Sequence, residues 1–319
     1  MTLRWLLGRL AGTIPLLIGI SLILFLVIHL APGGPMDVYA DNPSVTPEAL
    51  ERLAEAYGLN KPLPVQYGLW LKAMLVGDWG FSIRTGRPVL TEIGERLGPT
   101  LLLGAVAMTV AFVVSVALGV ISAAQRGRWP DRLIGGLTLA GLSVPVFWLA
   151  LLLQLLFAVQ LGWLPTGGLQ TIGVESFADR ARHLVMPAAV LAIATTASWS
   201  RYIRAGMIDV LGQDYIRTAR AKGLAEPVVL LRHAFRNAII PAVSIIALDL
   251  ASVISGAVIV ESIFRWPGIG SLFVQSMDGR DYPVLMGVLM IGAAAVILAN
   301  IAADLVQALL DPRIRHARA

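Results

Sequence analysis

The stretch that decides the fold is Leu97–Gln125, which has the sequence LGPTLLLGAVAMTVAFVVSVALGVISAAQ and no charged side chain. About 20 apolar residues in a row are enough to cross the hydrocarbon core of a bilayer as an α-helix. The apolar residues form a continuous run, without the alternating pattern of a water-soluble core. Leu97–Gln125 is therefore predicted to span a membrane.

Apolar runs of this kind recur along the chain. We predict five more membrane-spanning helices, over Leu10–Ile28, Leu133–Leu161, Leu184–Ser200, Ala238–Ser262 and Tyr282–Leu310. The composition agrees, because 57% of the residues are hydrophobic and 14% are charged, whereas soluble domains have about 25% charged residues. The predicted fold is an all-α, polytopic membrane protein with six transmembrane helices, and the composition argues against a soluble enzyme.

The first apolar run also has a feature of signal peptides, because Arg4 and Arg9 precede it. Its length exceeds the about 7 to 15 residues of a signal peptide's apolar region, and no small-residue cleavage site follows it. We therefore favour a retained first helix, which ends where the sequence breaks at His29–Pro35.

Lysine and arginine are distributed unevenly between the two sides of the predicted membrane. The segments that share a side with both termini are 1–9, 126–132, 201–237 and 311–319, and they hold most of the 25 Lys and Arg residues. Loops rich in these residues stay in the cytoplasm. Both termini are therefore predicted to be cytoplasmic, and topology rather than binding of nucleic acid explains the net charge of +5.

These boundaries divide the chain into four parts. We expect a cytoplasmic N-terminus with the first span, an external loop, a core of five spans and a cytoplasmic tail, over 1–30, 31–96, 97–310 and 311–319. The external loop is long for a connector, and its segment Pro47–Gly58 has the composition of a helix that starts after Thr46. The later part of the loop is rich in aromatic and leucine side chains, so we expect it to lie partly on the membrane surface.

Pro145, Pro187 and Pro241 lie inside or at the start of predicted spans. Proline lacks a backbone N–H group and its ring collides with the preceding turn, so it kinks a helix. We expect a structural kink at each of these three positions.

The sequence lacks the motifs of several enzyme classes. None of the three lysines, Lys61, Lys72 and Lys222, follows the glycine pattern of a phosphate-binding loop, so ATP hydrolysis would require another chain. The four histidines are scattered, no metalloprotease or serine-hydrolase motif is present, and there is no cysteine. We predict no catalytic residue, no metal site and no cofactor on this chain.

Three acidic residues lie in or beside predicted spans, namely Asp249, Glu261 and Asp304. Ionisable groups inside a membrane usually mark a transport path, a proton relay or a buried pair, so Asp249 and Glu261 are the candidate path residues. The sequence leaves open whether Asp249 bonds a neighbouring helix or lines the path, whereas Glu261 and Asp304 lie near span ends and could reach the membrane interface. A proton-coupled secondary transporter that uses Asp249 or Glu261 is the alternative function, although no inverted repeat supports it.

The predicted cytoplasmic loop Arg201–Asn237 contains a helix signal of its own. Asp214 can cap the first N–H groups, and Gly223 can take the left-handed conformation that ends a helix. A helix of about eight residues is marginal in water, so it needs a surface to pack against. The residues alone leave two such surfaces equally open, the groove of a partner protein and the headgroup region of a membrane.

Two runs in this loop, DYIRTARAKGL at 214–224 and RHAFRNAIIP at 232–241, resemble the EAA loop of permeases of binding-protein-dependent ABC importers. The match is specific to the peptide and nickel branch of that family. Other stretches agree with the same branch, among them APGGP at 31–35, GDWGFS at 77–82 and ESIFRWPGIG at 261–270. The motif is named after the sequence Glu-Ala-Ala, and this chain differs from it, because it has Arg-Thr-Ala at 217–219.

The resemblance implies a type I ABC importer permease of six transmembrane helices, in the cytoplasmic membrane of a bacterium or archaeon. The helix at 214–223 would be the coupling helix, seated in a cleft of a cytoplasmic ATPase subunit. The candidate coupling residues are Asp214, Tyr215, Arg217, Thr218, Ala219, Arg220, Ala221, Lys222 and Gly223. In that setting Ala219, Ala221 and Gly223 would be small because the interface is close, and the cations would set its register by charge pairs.

The resemblance also implies an assembly around this chain in the lipid bilayer. It would contain a homologous second permease, one or two ATPase subunits that bind ATP and magnesium, and an external substrate-binding protein. Members of the branch carry dipeptides, longer peptides, nickel complexes or glutathione. A di- or oligopeptide is the expected solute, and nucleic acid is not an expected partner.

Overall fold

The computed structural model describes residues 3–30 and 60–310, together with residues 46, 48, 51, 52 and 55. Within this part of the chain the regular structure is helical, apart from one isolated bridge between Phe81 and Pro88. The all-α prediction is therefore confirmed. The stretch at 31–35, most of the predicted external helix at 47–58 and the tail at 311–319 lie outside the described residues.

The described helices are joined by connections of different lengths. In chain order they are α1 (Leu3–Leu30), α2 (Leu63–Leu75), α3 (Val89–Ala124), α4 (Trp129–Ser143), α5 (Val146–Leu153), α6 (Phe177–Leu211), α7 (Asp214–Ala221), α8 (Arg236–Ile263), α9 (Ile269–Asp278) and α10 (Tyr282–Leu310). Two π-helical stretches accompany them, Gln154–Gln160 after α5 and Val229–Phe235 before α8. A helix of three residues, Glu226–Val228, leads into the second stretch.

Four of the described helices, α1, α3, α6 and α10, are long and apolar enough to cross a bilayer. A fifth crossing is obtained if α4 and the helix that follows it count together as one bent span. The remaining predicted span, Ala238–Ser262, lies within α8. The polytopic class is confirmed, and the number of six crossings stays a prediction.

The third predicted span, Leu133–Leu161, is the main point at which the structure differs from the expectation. It is broken between Ser143 and Val146, and its two halves are bent by 101°. Pro145 stands at the break as the N-cap residue of α5, and Val144 before it is extended, with φ −84° and ψ 123°. Proline pushes the residue before it out of the helical region, so the kink expected at Pro145 is a complete break. Pro187 and Pro241 lie inside the helices α6 and α8.

Helix α6 is much longer than the predicted span Leu184–Ser200. Its 35 residues extend over about 52 Å at 1.5 Å per residue, whereas the hydrocarbon core of a bilayer is about 30 Å thick. The additional residues carry charge at both ends, including Asp179 and Arg180 before the apolar run and Arg204 after it. The helix therefore extends beyond the apolar layer, which a count of apolar residues does not show.

Contacts between Cα atoms divide the chain into two units. Among the described residues, the first unit contains Pro99–Gly270 and 296–310, and the second contains those before Pro99 together with Ser271–Ala295. In the first unit α6 packs against α4, α5 and α8. Gly206 of α6 lies so close to the carbonyl group of Ala238 that a Cβ atom would collide with it, which explains glycine at this helix crossing.

In the second unit α2 packs on α1 through aromatic side chains. Tyr67 and Trp70 of α2 lie 5.4 Å and 6.1 Å from Phe25, measured between ring centroids. The hydroxyl groups of Tyr67 and Ser21 are 2.9 Å apart. Part of the aromatic content of the external segment, which the sequence assigned to the membrane surface, is therefore used to pack against α1.

Candidate functional site

Helix α7 is where the sequence predicts a short helix. It begins at Asp214 and ends at Ala221, and Gly223 follows with φ +76°. Both the helix and its left-handed terminator are confirmed. The N-cap differs, because Gln213 occupies that position and Asp214 is the first helical residue. A carboxylate there still favours the helix, since it lies at the positive end of the helix dipole.

The apolar side chains of α7 pack against the chain's own helices. Ile216 is fully buried and Ala219 is 6% exposed. They belong to one apolar cluster with buried residues of α3, α6, the second π-helical stretch and α8, namely Val120, Ala123, Ile203, Met207, Val229, Ala234, Ala238 and Ala242. The helix is thus attached to four neighbouring elements of the first unit.

This packing corrects the explanation for Ala219. The sequence analysis attributed its small size to a close partner interface, but Ala219 faces inward and contacts the apolar cluster of its own chain. A larger side chain would have to displace that cluster, because protein interiors are close-packed. The surface that α7 offers to a partner therefore consists of its other residues.

Hydrogen bonds hold the ends of α7 in place. The Nδ2 group of Asn237 donates to the hydroxyl oxygen of Tyr215 over 2.9 Å. Arg220 makes two hydrogen bonds to Glu226, from Nε at 3.1 Å and from Nη2 at 2.6 Å. Arg220, which was expected to pair with a partner, is therefore paired inside its own loop.

The pair of Arg220 and Glu226 shifts the ionisation of both groups. The hydrogen bond from Arg220 holds the pKa of the Glu226 carboxyl below its ordinary value, although partial burial acts in the opposite direction. The same bond raises the pKa of the Arg220 guanidinium. Both side chains are about half exposed, so solvent screens the pair and its contribution to stability is small.

The opposite face of α7 is open and polar. The side chains of Asp214 and Arg217 are 95% and 75% exposed, and the 3.4 Å contact between them is therefore weak. Thr218, Ala221 and Lys222 are exposed as well. An amphipathic helix on a membrane surface would direct its apolar face to the lipid, and here that face is already buried. The arrangement favours a protein partner over a membrane surface.

Asp249 is bonded to a neighbouring helix. The indole Nε1 group of Trp199 on α6 donates to Oδ2 of Asp249 on α8 over 2.6 Å. Of the two roles that the sequence left open, the structure displays the hydrogen bond between helices. A contact between Asp249 and a transported solute stays a prediction.

Glu261 is fully buried at the end of α8. The hydroxyl group of Thr100 donates to its Oε1 atom over 2.7 Å, and the backbone N–H of Ile269 donates to that same hydroxyl oxygen over 2.8 Å. The carboxylate is enclosed by the turn Trp266–Gly270 and does not project into solvent. A position of Glu261 at the membrane interface stays a prediction. Asp304 is partly buried in α10. A role for Glu261 in the path stays a prediction.

Sequence reasoning missed a charged network between α4 and α6. Arg204 on α6 bonds the carboxylate of Asp131 on α4, from Nε at 2.7 Å and from Nη2 at 2.8 Å. Ser122 donates to the same carboxylate, and so does the backbone N–H of Gly127 over 2.9 Å. The charged residues at both positions were visible in the sequence, but their pairing was not. No group of three or more potential metal ligands occurs among the described residues.

Comparison with known proteins identifies the family. Residues 115–316 match the family model described as the binding-protein-dependent transport system inner membrane component. Residues 2–103 match the model for the N-terminal part of such membrane components. The chain belongs to this family of permeases. It is thus an all-α, multi-pass permease of a binding-protein-dependent ABC importer in the inner membrane.

Several curated relatives match over almost the entire permease. The oligopeptide transport system permease protein AppB of Bacillus subtilis (strain 168) is 45% identical over 314 residues, which cover 98% of this chain and 99% of the relative. A putative peptide permease protein of Brucella ovis is 42% identical, with 98% and 99% of the two chains covered. The glutathione transport system permease protein GsiC of Escherichia coli (strain K12) is 39% identical, also with 98% and 99% coverage.

Solved structures of ABC transporters share the fold of the permease. An inward-facing form of the MetNI methionine ABC transporter matches with a TM-score of 0.58 and 16% identity, over 70% of this chain and 97% of that chain. An amino acid ABC transporter with histidines matches with a TM-score of 0.51 and 15% identity, over 68% and 93% of the two chains. At such identities the likeness establishes the fold alone.

Proposed function

We propose that this permease encloses, with a homologous second permease, a path for di- or oligopeptides that an external binding protein delivers. One or two cytoplasmic ATPase subunits would bind ATP and magnesium and drive the cycle. The names of the relatives from Bacillus subtilis and Brucella ovis support a peptide as the solute. The proposal keeps both termini and the loops at 126–132 and 201–237 in the cytoplasm, because those segments carry most of the Lys and Arg residues. The external side would then hold the loop at 31–96.

The observation that carries the proposal is the division of α7 into two faces. One face, with Ile216 and Ala219, is buried among the chain's own helices. The other face, with Asp214, Arg217 and Lys222, is open to solvent and charged. A helix fixed by one side and open on the other is suited to receive a cleft of a partner subunit. We assign the residues 214–223 to this coupling role, with Ala219 as part of the anchor and the exposed residues as the docking surface.

The packing around α7 also indicates how a movement of the ATPases would reach the path. The cluster that holds Ile216 includes side chains of α6 and α8. A displacement of α7 would therefore move these two helices with it instead of being absorbed in a loop. ATP would shift the permease between its inward-open and outward-open states only by the difference in its affinity for the two states of the ATPases.

The docking claim is tested by single cysteines at two positions of one helix. The chain has no cysteine, so Ala221→Cys and Ala219→Cys each introduce a unique thiol. Ala221 is exposed, and Ala219 is buried and serves as the matched control. We expect a water-soluble maleimide to label Cys at 221 in the isolated permease and to fail in the assembly with its ATPase subunits, whereas Cys at 219 stays unlabelled in both.

Equal labelling at 221 with and without the co-purified ATPases would contradict docking on this face.

The transport claim is tested by reconstituting the assembly in liposomes with the binding protein and a labelled dipeptide. Uptake should require ATP and continue after a protonophore is added. Uptake that persists without ATP and stops with the protonophore would support the proton-coupled alternative.

A further inference from the structure

A cavity of about 320 Å³ lies between α4 and α6 in the first unit, apart from the coupling helix. Polar and apolar side chains line it together, namely Ser122, Asp131, Ile134, Gly135, Thr138, Leu139, Ser200, Arg201 and Arg204. A cavity with this mixture suits a ligand that has a charged group and an apolar part. The coupling role proposed for α7 does not involve this cavity.

Several hydrogen bonds hold the charged side chains of Asp131 and Arg204 in the wall of the cavity. Asp131 is 8% exposed and its carboxylate accepts hydrogen bonds from Arg204, Ser122 and Gly127. These bonds use the Nε and Nη2 groups of Arg204, and the side chain remains 36% exposed. The Nη1 group of Arg204 has no hydrogen-bond acceptor within the described ranges, so it can bind an additional anion.

A second guanidinium lines the same cavity. Arg201 is exposed, and no hydrogen bond or ion pair joins it to any residue that the structure describes. The cavity therefore has two arginines and one carboxylate, and the carboxylate is already neutralised by Arg204. Guanidinium groups bind phosphate through charge-assisted hydrogen bonds. The excess positive charge thus points to a phosphate or a similar anion as the ligand.

The surroundings of the cavity favour a lipid as the source of that anion. Trp129, at the start of α4, is 74% exposed, and exposed tryptophan in a membrane protein marks the headgroup level. Asp131 comes two residues after it. Further along α4, the side chains of Leu133, Leu137 and Leu139 are 52%, 62% and 62% exposed, as expected for a surface that contacts acyl chains. The cavity thus combines a cationic site at headgroup level with an apolar border.

We propose that this cavity binds the phosphate group of an anionic phospholipid, with Arg201 and the free Nη1 group of Arg204 as its cationic ligands. The hydroxyl groups of Ser122, Thr138 and Ser200 also line the cavity, but they already donate to Asp131 and to the carbonyl groups of Gly135 and Ala197, so the two guanidinium groups bind the anion. Basic pockets between helices at the cytoplasmic surface bind anionic headgroups for the same physical reason. A bound lipid would join α4 and α6 at the base of the helix that leads into α7.

The experiment measures lipid retention by native mass spectrometry on the assembly purified with its partner subunits. The wild type and Arg201→Gln are each supplied with phosphatidylglycerol or with phosphatidylcholine in detergent. Arg201 makes no hydrogen bond or ion pair with any described residue, so its replacement leaves the polar contacts of the fold intact. Arg180→Gln is the matched control, because Arg180 is exposed at the other end of α6, where it bonds Gln170.

We expect the wild type and Arg180→Gln to retain phosphatidylglycerol in preference to phosphatidylcholine. Arg201→Gln should retain it about fivefold less, since one cation near a surface contributes on that order. Equal retention by Arg201→Gln and the wild type would overturn the proposal. Displacement of the lipid by millimolar inorganic phosphate would instead identify a soluble anion as the ligand. A crosslink from position 201 to the second permease, with no lipid retained, would show that a protein covers the cavity and would also overturn it.

Discussion

The indole Nε1 atom of Trp199 lies 2.6 Å from Oδ2 of Asp249, and this hydrogen bond joins α6 to α8. Trp199 is 1% exposed, so its N–H group has no access to water. An acidic residue inside a span requires partners, and this one has its partner on the neighbouring helix. Asp249 thus has a structural task that exists whether or not a solute contacts it.

We predict that Asp249→Leu destabilises the permease and that Asp249→Asn does not. Leucine removes the acceptor and leaves the buried Trp199 N–H unsatisfied, which costs about 1–3 kcal/mol. Asparagine keeps an oxygen at that place and can still accept the bond. Thermal unfolding in detergent measures the stability, and ATP-driven uptake measures the function. An Asp249→Asn variant that is stable but inactive would show that the charge itself serves transport.

Gly223 is expected to be replaceable by asparagine but not by alanine. Its φ of +76° is unfavourable for residues with a Cβ atom, and nothing lies within 4 Å of the place where that atom would be. The effect of a substitution therefore comes from the backbone alone, and it amounts to about 1–2 kcal/mol for alanine. Asparagine adopts the left-handed region several-fold more readily than most residues.

The readout for Gly223 is coupling, measured as peptide uptake per ATP hydrolysed. Gly223→Ala should lower this ratio, because the chain after α7 would leave in another direction. Gly223→Asn should stay near the wild type, and Gly223→Asp should fall below Asn because it adds a charge to the docking surface. Insertion in the membrane should be normal for all three. A wild-type ratio in Gly223→Ala would argue against a role for this turn.

The pair of Arg220 and Glu226 should make the segment 214–226 sensitive to acid. The pKa of Glu226 is lowered in the folded protein, so its stabilising contribution is present above the ordinary value of 4.5 and is lost as the pH falls below it. The pair is half exposed, and we expect a contribution of about 0.2–1 kcal/mol.

Hydrogen exchange over residues 214–226, corrected for the intrinsic effect of pH, tests the pair directly. Glu226→Gln should exchange faster than the wild type at pH 7. The two proteins should become alike as the pH falls toward 3. A constant difference across this range would mean that the charge of Glu226 is not what holds the loop.

We predict that Gly268→Ala destabilises the permease strongly. A Cβ atom at this position would overlap the carboxylate of Glu261, which is fully buried and bonded to Thr100. Overpacking of this kind costs about 1–3 kcal/mol. Gly136→Ala on α4 is the control, because its Cβ atom would meet nothing within 4 Å and the helix would gain about 0.5–1 kcal/mol. Thermal unfolding in detergent compares the two, and equal midpoints would disprove the tight turn.

The sequence was sufficient to locate α7, because its boundaries depend on neighbouring residues. Gly223 ends the helix through its own backbone, and the charged residues before it exclude a further span. The sequence could not show which face of α7 points into the protein, because Ile216 and Ala219 contact side chains from four separate elements. These contacts come from elements that are far apart in the sequence. They decide whether Ala219 is small because it packs against its own chain or because a partner lies close to it.

Two further features depend on residues that are far apart or on backbone geometry. Arg204 and Asp131 are separated by 73 positions, so their pairing follows from the packing of α4 on α6. The break at Pro145 was expected as a kink, because the uncharged run continues across it. A bend of 101° is set by the extended backbone of Val144, which apolar composition does not report.

The two faces of α7 also have a consequence for the evolution of such importers. The residues that secure the helix to its own chain, led by Ile216, are different from the residues that a partner would touch, such as Asp214 and Arg217. Mutations on the open face can therefore accumulate without loss of the fold. Under the proposed coupling role, a duplicated permease gene could acquire a different ATPase through a few substitutions on the open face, while the buried positions preserve the fold.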